Sequence, residues 1–212
     1  MKVLILGSGA REHAMAEAVA ASPLQPQVFV APGNDGLRSV AECVALSLDD
    51  VEGIADWAAS QAVDMTIAGS EEPLVRGVWD AFDARHLKLF GPSAAAAQLE
   101  GSKVFAKEFM RRQAIPTADF TVCNDLQQAQ AHVQDRQLPM VIKADGLAAG
   151  KGVFVAQTAA ECDSALEEIF VAERFGAAGR QVLIEDCLQG VEVSVFAICD
   201  GYSHRIDRKS VV

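Results

Sequence analysis

Between positions 143 and 152 the chain reads Lys143-Ala144-Asp145-Gly146-Leu147-Ala148-Ala149-Gly150-Lys151-Gly152. The glycines leave the backbone free to bring N–H groups close to a ligand, and Lys143 and Lys151 place cations beside them, which suits a triphosphate. No Gly-Lys-Ser or Gly-Lys-Thr precedes a helix here, so this is not a Walker loop. A glycine-rich hairpin with a solvated lysine would use the same residues. A second cluster, Ile184-Glu185-Asp186-Cys187-Leu188 followed by Glu192, ends an apolar run in acids. A strand-to-strand hinge of this composition can offer backbone amides to an adenine edge and a carboxylate to ribose hydroxyls. Polar residues closing a strand are the plainer alternative. A third stretch, Gly7-Ser8-Gly9-Ala10-Arg11-Glu12-His13, falls where a strand feeds a helix, so free N–H groups and the helix dipole can meet an anion there. Glycine is also needed simply to make such a turn. The third glycine of a dinucleotide fingerprint is missing and the strand at 27–31 does not end in an acid, which counts against a nicotinamide cofactor.

These clusters need elements to hold them. Lys2 to Leu6 is a continuous aliphatic run, and Arg11 to Ala21 has the alanine-rich composition of a helix. The alternation continues with a strand at Gln27–Ala31, a helix at Val51–Gln61, a strand at Met65–Ala68, a helix at Leu74–Arg85 and a strand at Leu87–Phe90. Strands alternating with helices imply a parallel sheet covered on both faces. Near Gly91-Pro92 the rhythm changes. Helices are expected at Ala94–Glu100 and Lys103–Gln113, the latter stopped before Pro116, with a domain boundary close to Gly101. Strands at Asp119–Val122, Met140–Lys143, Val153–Ala156, Gln181–Asp186 and Val191–Cys199 follow, with helices at Leu126–Arg136 and Ala160–Ala172 between them.

Composition limits the functions available. Half of the 212 residues are hydrophobic and the formal charge is −11, which argues against disorder and against a nucleic-acid partner. The five cysteines are odd in number and form no Cys-x-x-Cys pair, so they suggest neither a disulfide framework nor zinc and read as reduced thiols of a cytoplasmic protein. No stretch approaches the length of a membrane span. His13 reads as a helix-start residue, His86, His132 and His204 as exposed, and Trp57 and Trp79 as core residues on helices.

Lys103, then Lys143, then a glycine-rich loop, then an acidic hinge, in this order, resemble the ATP-grasp fold. Within it the sequence is similar to the phosphoribosylamine–glycine ligase family. The match is carried by Gly9-Ala10-Arg11-Glu12-His13-Ala14, Ala31-Pro32-Gly33-Asn34, Gly69-Ser70-Glu71-Glu72-Pro73-Leu74-Val75 and Gly91-Pro92. It continues through Leu99-Glu100-Gly101-Ser102-Lys103, Ile115-Pro116-Thr117-Ala118 and the run from Lys143 to Val153. The resemblance spans positions 1 to about 201.

That resemblance implies an α/β protein: a Rossmann-like parallel-sheet domain over residues 1–101, then an incomplete ATP-grasp domain over 102–212 with a lid at about 120–190. It implies a reaction in which ATP phosphorylates the glycine carboxylate and the amine of 5-phosphoribosylamine attacks the acyl phosphate, giving glycinamide ribonucleotide. ATP would be held by Lys103, Lys143, Gly146, Gly150, Lys151, Gly152, Glu185, Asp186, Leu188 and Glu192. Gly9, Arg11, Glu12 and Glu71 would face phosphoribosylamine. No residue is assigned as catalytic, and the ligands for magnesium or manganese are expected in a C-terminal half that the chain lacks. The other partners expected are small molecules, with no nucleic acid and no membrane; the oligomeric state stays open. Two alternatives remain: a non-catalytic product that binds purine nucleotides, and the carboxylating and formylating purine ligases, which share the lysines and hinge.

Beyond Asp200-Gly201-Tyr202 the family pattern would continue the strand, whereas Ser203 to Ser210 reads as an unrelated polar ending. On this reading the chain stops before its active site is complete and is inactive alone.

Overall fold

The computed structural model describes residues 1–147 and 151–211, with side chains described as far as Ile206. Its first half is built on β1 (Lys2–Gly7), β2 (Gln27–Pro32), β3 (Glu42–Cys43), β4 (Met65–Ala68) and β5 (Leu89–Phe90). All pair in parallel, in the spatial order β3-β2-β1-β4-β5. The aliphatic run of β1 is explained by burial on both faces. Leu4 and Leu6 pack with Ile54, Ala55 and Ala58 of α2 (Val51–Ser60), and Val3 and Ile5 with Ala16 of α1 (Ala10–Ala20). Each fully buried Leu or Ile contributes roughly 2 kcal/mol of transfer free energy. Trp57 and Trp79 are half-buried against the α2 side of this core, and Phe29 meets Trp57 edge-on with centroids 5.3 Å apart.

The strand order places β1 and β4 side by side where the winding direction reverses. In such sheets ligands sit beyond the carboxyl ends of the strands at that switch point. The loops leaving those ends are Gly7-Ser8-Gly9 and Gly69-Ser70-Glu71. The helix expected over Leu74–Arg85 is instead two, α3 (Glu72–Val75) and α4 (Val78–Asp83), because Gly77 at φ 94° takes a left-handed conformation that ends one and starts the other.

Next come α5 (Ala94–Gly101) and α6 (Lys103–Arg112), then an antiparallel sheet of β6 (Phe120–Cys123), β7 (Met140–Ala144), β8 (Val153–Ala156) and β9 (Val182–Asp186), in the order β6-β9-β7-β8. One face is apolar. Met140, Ile142, Ala144, Val182 and Ile184 are buried with residues of α7 (Leu126–Gln134) and α8 (Ala159–Phe170). The alternate residues Val141, Lys143, Leu183 and Glu185 therefore face the other way, toward α6. His132, expected in solvent, is half-buried on α7 with its Nε2 buried and unpartnered among the described residues.

The chain closes on a hairpin of β10 (Val193–Cys199) and β11 (His204–Val211), paired antiparallel from Cys199–His204 to Val193–Val211 with a register shift between Ser194 and Phe196. The polar ending expected after Tyr202 is thus a strand. Its charged residues hide the alternation that would mark it, and pairing with β10 supplies its backbone hydrogen bonds.

Candidate functional site

Helix α6 starts the site. Ser102 caps it by accepting the Phe105 N–H at 3.0 Å, and Asp145, at the mouth of the glycine-rich loop, accepts the Val104 N–H at 3.0 Å and the Ser102 hydroxyl at 3.1 Å. A carboxylate there also meets the positive end of the helix dipole. The Lys103 ammonium donates to the Gly146 carbonyl at 2.7 Å, so the loop is tied to the helix at its first residue. Gly146 has φ 84°, and a side chain added there would approach Ala178 to 3.2 Å. Burial lowers the pKa of Lys103; the nearby Lys143 lowers it further, while Asp145 and Glu100 oppose the shift.

One turn along α6 from Lys103 is Lys107, which sequence reasoning passed over. It is 8% exposed and donates to Thr117 Oγ1 at 2.7 Å and to the Ala118 carbonyl at 3.4 Å. Its Nζ also lies 2.7 Å from Oε2 of Glu185, itself 4% exposed in the middle of the sheet. Lys143, across from Glu185 on β7, brings its Nζ within 2.8 Å of Oε1. That contact is a charge pairing rather than an aligned hydrogen bond: Oε1 accepts none from a described residue. Next to it Phe120 carries the guanidinium of Arg111 on its face at 3.9 Å.

These groups line a cavity of about 510 Å³. Lys103, Lys107, Lys143 and Glu185 supply its charge; Leu99, Met110, Leu147 and Val153 supply apolar surface; Glu71 and Glu100 stand at its border with the first half of the chain. A polyanion attached to a flat apolar ring fits this division of cations and apolar wall.

Of the residues singled out from sequence, Lys103, Lys143, Gly146, Gly152, Glu185 and Glu71 come together here. Gly150 lies outside the described residues. Lys151 is exposed and does not line the cavity. Asp186 is turned away, because consecutive strand residues point to opposite faces: its carboxylate pairs with Arg136 at 2.7 Å on the α7 side. Leu188 and Glu192 are exposed in the connection to β10, outside the cavity lining. Lys107, Leu99 and Met110 were missed. The signal for Lys107 is its spacing of four from Lys103, which stacks the two on one helix face.

At the switch point the structure gives the first glycine loop an occupant of its own. Oε2 of Glu12 accepts the Gly9 N–H at 2.6 Å, and the Glu12 side chain is only 5% exposed. A Cβ on Gly7 or Gly69 would come within 2.5 or 2.4 Å of its Cγ, so these glycines exist to make room for this carboxylate. The Gly9 N–H is thus taken by an intramolecular carboxylate, the Glu12 half of a capping box, so the expectation of a free N–H does not hold at that residue. Arg11 is exposed and reaches Glu71 Oε2 at 3.3 Å, linking this loop to the edge of the cavity. Among the described residues no three His, Cys, Asp or Glu side chains converge to hold a metal ion. No described helix is long and apolar enough to cross a membrane.

Comparison with known proteins gives the arrangement its family. Residues 1–100 match the N domain of phosphoribosylglycinamide synthetase, and residues 101–208 match its ATP-grasp (A) domain. The chain belongs to the phosphoribosylglycinamide synthetase family. The family match passes Tyr202 and takes in most of β11, which corrects the expectation that it ends near residue 201. The phosphoribosylamine–glycine ligase of Escherichia coli (strain K12) is 48% identical over 203 residues, covering 95% of this chain and 47% of that protein. The chain thus spans about half the length of the curated relatives it matches. The crystal structure of phosphoribosylamine–glycine ligase from Thermotoga maritima superposes with a TM-score of 0.81 at 30% identity, over 99% of this chain and 49% of that one. An ADP complex of N5-carboxyaminoimidazole ribonucleotide synthetase shares the fold, with a TM-score of 0.74 at 21% identity over 98% of this chain and 53% of that one.

Proposed function

We propose that this chain is the nucleotide-binding and amine-binding part of a phosphoribosylamine–glycine ligase of purine biosynthesis, with residues 1–101 and 102–212 as its two domains. In that reaction the γ-phosphate of ATP passes to the glycine carboxylate and ADP leaves. The amine of 5-phosphoribosylamine then attacks the acyl carbon, and phosphate departs as glycinamide ribonucleotide forms. The observation that carries the reading is the convergence of Lys103, Lys143, Glu185 and both flanks of the glycine-rich loop on one cavity with an apolar wall.

Lys103 and Lys143 would neutralise phosphate oxygens, and the loop from Gly146 to Gly152 would close over them with its N–H groups. The backbone from Glu185 to Leu188 would border adenine, and Glu192 would serve the ribose. Asp186 supports this hinge through Arg136 and contributes backbone only. On the amine side the pair Arg11–Glu71 is the exposed element, with Gly9 and Glu12 fixing the loop beneath it. Most of the rate enhancement in such a reaction comes from positioning and charge neutralisation. Magnesium or manganese bound with ATP would add to the charge neutralisation that Lys103 and Lys143 supply. A cytoplasmic location and small-molecule partners accord with this chemistry and with the charge of −11.

The test is ADP release with ATP, magnesium, glycine and 5-phosphoribosylamine, with and without the separately expressed C-terminal half of a related ligase. Activity only in the presence of that half is the expected result. No activity in either case, together with no ATP binding by calorimetry, would sink the reading.

A further inference from the structure

Three lysines reach the cavity, and their hydrogen-bonding capacity separates them. An ammonium has three N–H donors. Lys107 donates to Thr117 Oγ1 at 2.7 Å and to the Ala118 carbonyl at 3.4 Å, and its ammonium is ion-paired with Glu185 Oε2 at 2.7 Å. Among the described residues Lys103 has one partner, the Gly146 carbonyl, and Lys143 has one, the Glu185 carboxylate. Lys107 is also the most buried of the three: its side chain is 10% exposed, against 24% for Lys143. A cation so enclosed has little left to offer a phosphate. Its surroundings point to a different task, the neutralisation of Glu185.

Glu185 sits between two cations that compete for one charge. Were Lys107 absent, the Glu185 carboxylate would be balanced by Lys143 alone, which would hold Lys143 against the sheet and leave no surplus positive charge for the polyphosphate. With Lys107 in place, Glu185 is already paired through Oε2, and Lys143 keeps a surplus charge that it can turn toward an incoming anion. We propose that Lys107 is a positioning residue for polyphosphate binding: it cancels the buried Glu185 carboxylate so that Lys143 is free to bind phosphate. The inference rests on the nucleotide reading of the cavity and adds to it a residue that does not touch the ligand.

The test uses the 212-residue chain and calorimetric titration with ATP and, separately, with inorganic tripolyphosphate. Four proteins are compared: wild type, Lys107→Met, Glu185→Gln and Lys107→Met/Glu185→Gln, with folding checked by circular dichroism. Losing a hydrogen bond between a lysine and a phosphate weakens binding by about tenfold, and in Lys107→Met the uncompensated Glu185 carboxylate draws Lys143 out of that contact, so both ligands are expected to weaken by about that factor. Once Glu185 is neutral Lys143 is not drawn away, so removing Lys107 is expected to cost only its own distant charge, about threefold or less, the difference between the two backgrounds being the coupling energy. A role confined to packing would give the same loss in both backgrounds, and that outcome overturns the proposal. If Lys107→Met does not fold, the comparison of Glu185→Gln with the double variant decides alone: a tenfold loss there refutes the neutralising role. Tripolyphosphate bound by wild type without ATP would overturn the nucleotide reading and leave the Lys107 comparison intact. ATP bound equally well by Lys107→Met and wild type would overturn the Lys107 proposal only, and binding of neither ligand by wild type would overturn both.

Discussion

Lys103 is held in a position that weakens its own charge. Burial at the start of α6 lowers its pKa below the ordinary 10.5, so it loses its proton at a lower pH than a solvated lysine does. The charged form binds phosphate; ATP affinity should therefore be level near neutrality and decline as pH rises toward the alkaline range, beginning earlier than a normal lysine would allow. Lys103→Arg, whose guanidinium stays charged, should flatten that alkaline decline, and Lys103→Met should be weak at every pH. Calorimetric affinities measured between pH 7 and pH 10 check this; an identical decline in wild type and the Arg variant would remove Lys103 from the phosphate site. At this scale the sequence was readable where chemistry follows from residue type and order, as for Lys103, Lys143 and the glycine-rich loop. It was less readable where direction matters. Glu185 and Asp186 look equivalent on paper, yet strand alternation sends one into the cavity and the other to Arg136. Glu12 reads as a ligand contact beside a glycine loop, and only its packing against Gly7 and Gly69 shows that the glycines accommodate it.

The elements were legible wherever burial on both faces leaves a continuous aliphatic run, as in β1. Backbone conformation at a single residue was less visible. Arg76 and Gly77 sit within a stretch that reads as one helix, but Gly77 at φ 94° divides it. A Cβ placed there would meet Asp80 Oδ2 at 3.6 Å and the Ala94 Cβ at 3.8 Å, both ordinary contacts, so space is available and only the backbone conformation objects. A left-handed conformation costs an L-residue about 1–2 kcal/mol, so Gly77→Ala should lower unfolding free energy by that amount in urea. Because Gly77 is not part of the cavity lining, ATP affinity should be unchanged. A stabilised variant would mean that a single helix across this segment is the better structure. The missed strands have their own causes. β3 is two residues long, too short for a periodic pattern, and β11 is rich in charge.

For the molecule as a whole, the two sheets bury their apolar faces differently from the terminal hairpin. The parallel sheet is covered on both sides and the antiparallel sheet by α7 and α8, whereas β10 carries Val193, Val195, Phe196 and Ile198 all more than half exposed. Apolar residues on both faces of a strand are the pattern of a sheet interior, not of a solvated ribbon. A contiguous exposed apolar surface next to a strand edge favours association, and the charge of −11 opposes it only weakly once salt screens the repulsion. The 212-residue chain is therefore expected to self-associate with rising concentration in sedimentation velocity, more at high ionic strength than at low. Val195→Lys combined with Ile198→Lys should restore a monomer across the same concentrations without changing ATP affinity, since neither residue lines the cavity. Self-association undiminished by these substitutions would place the contact elsewhere. Self-association that weakens as salt is added would make it electrostatic, because screening strengthens an apolar contact between like-charged molecules and weakens one built on ion pairs.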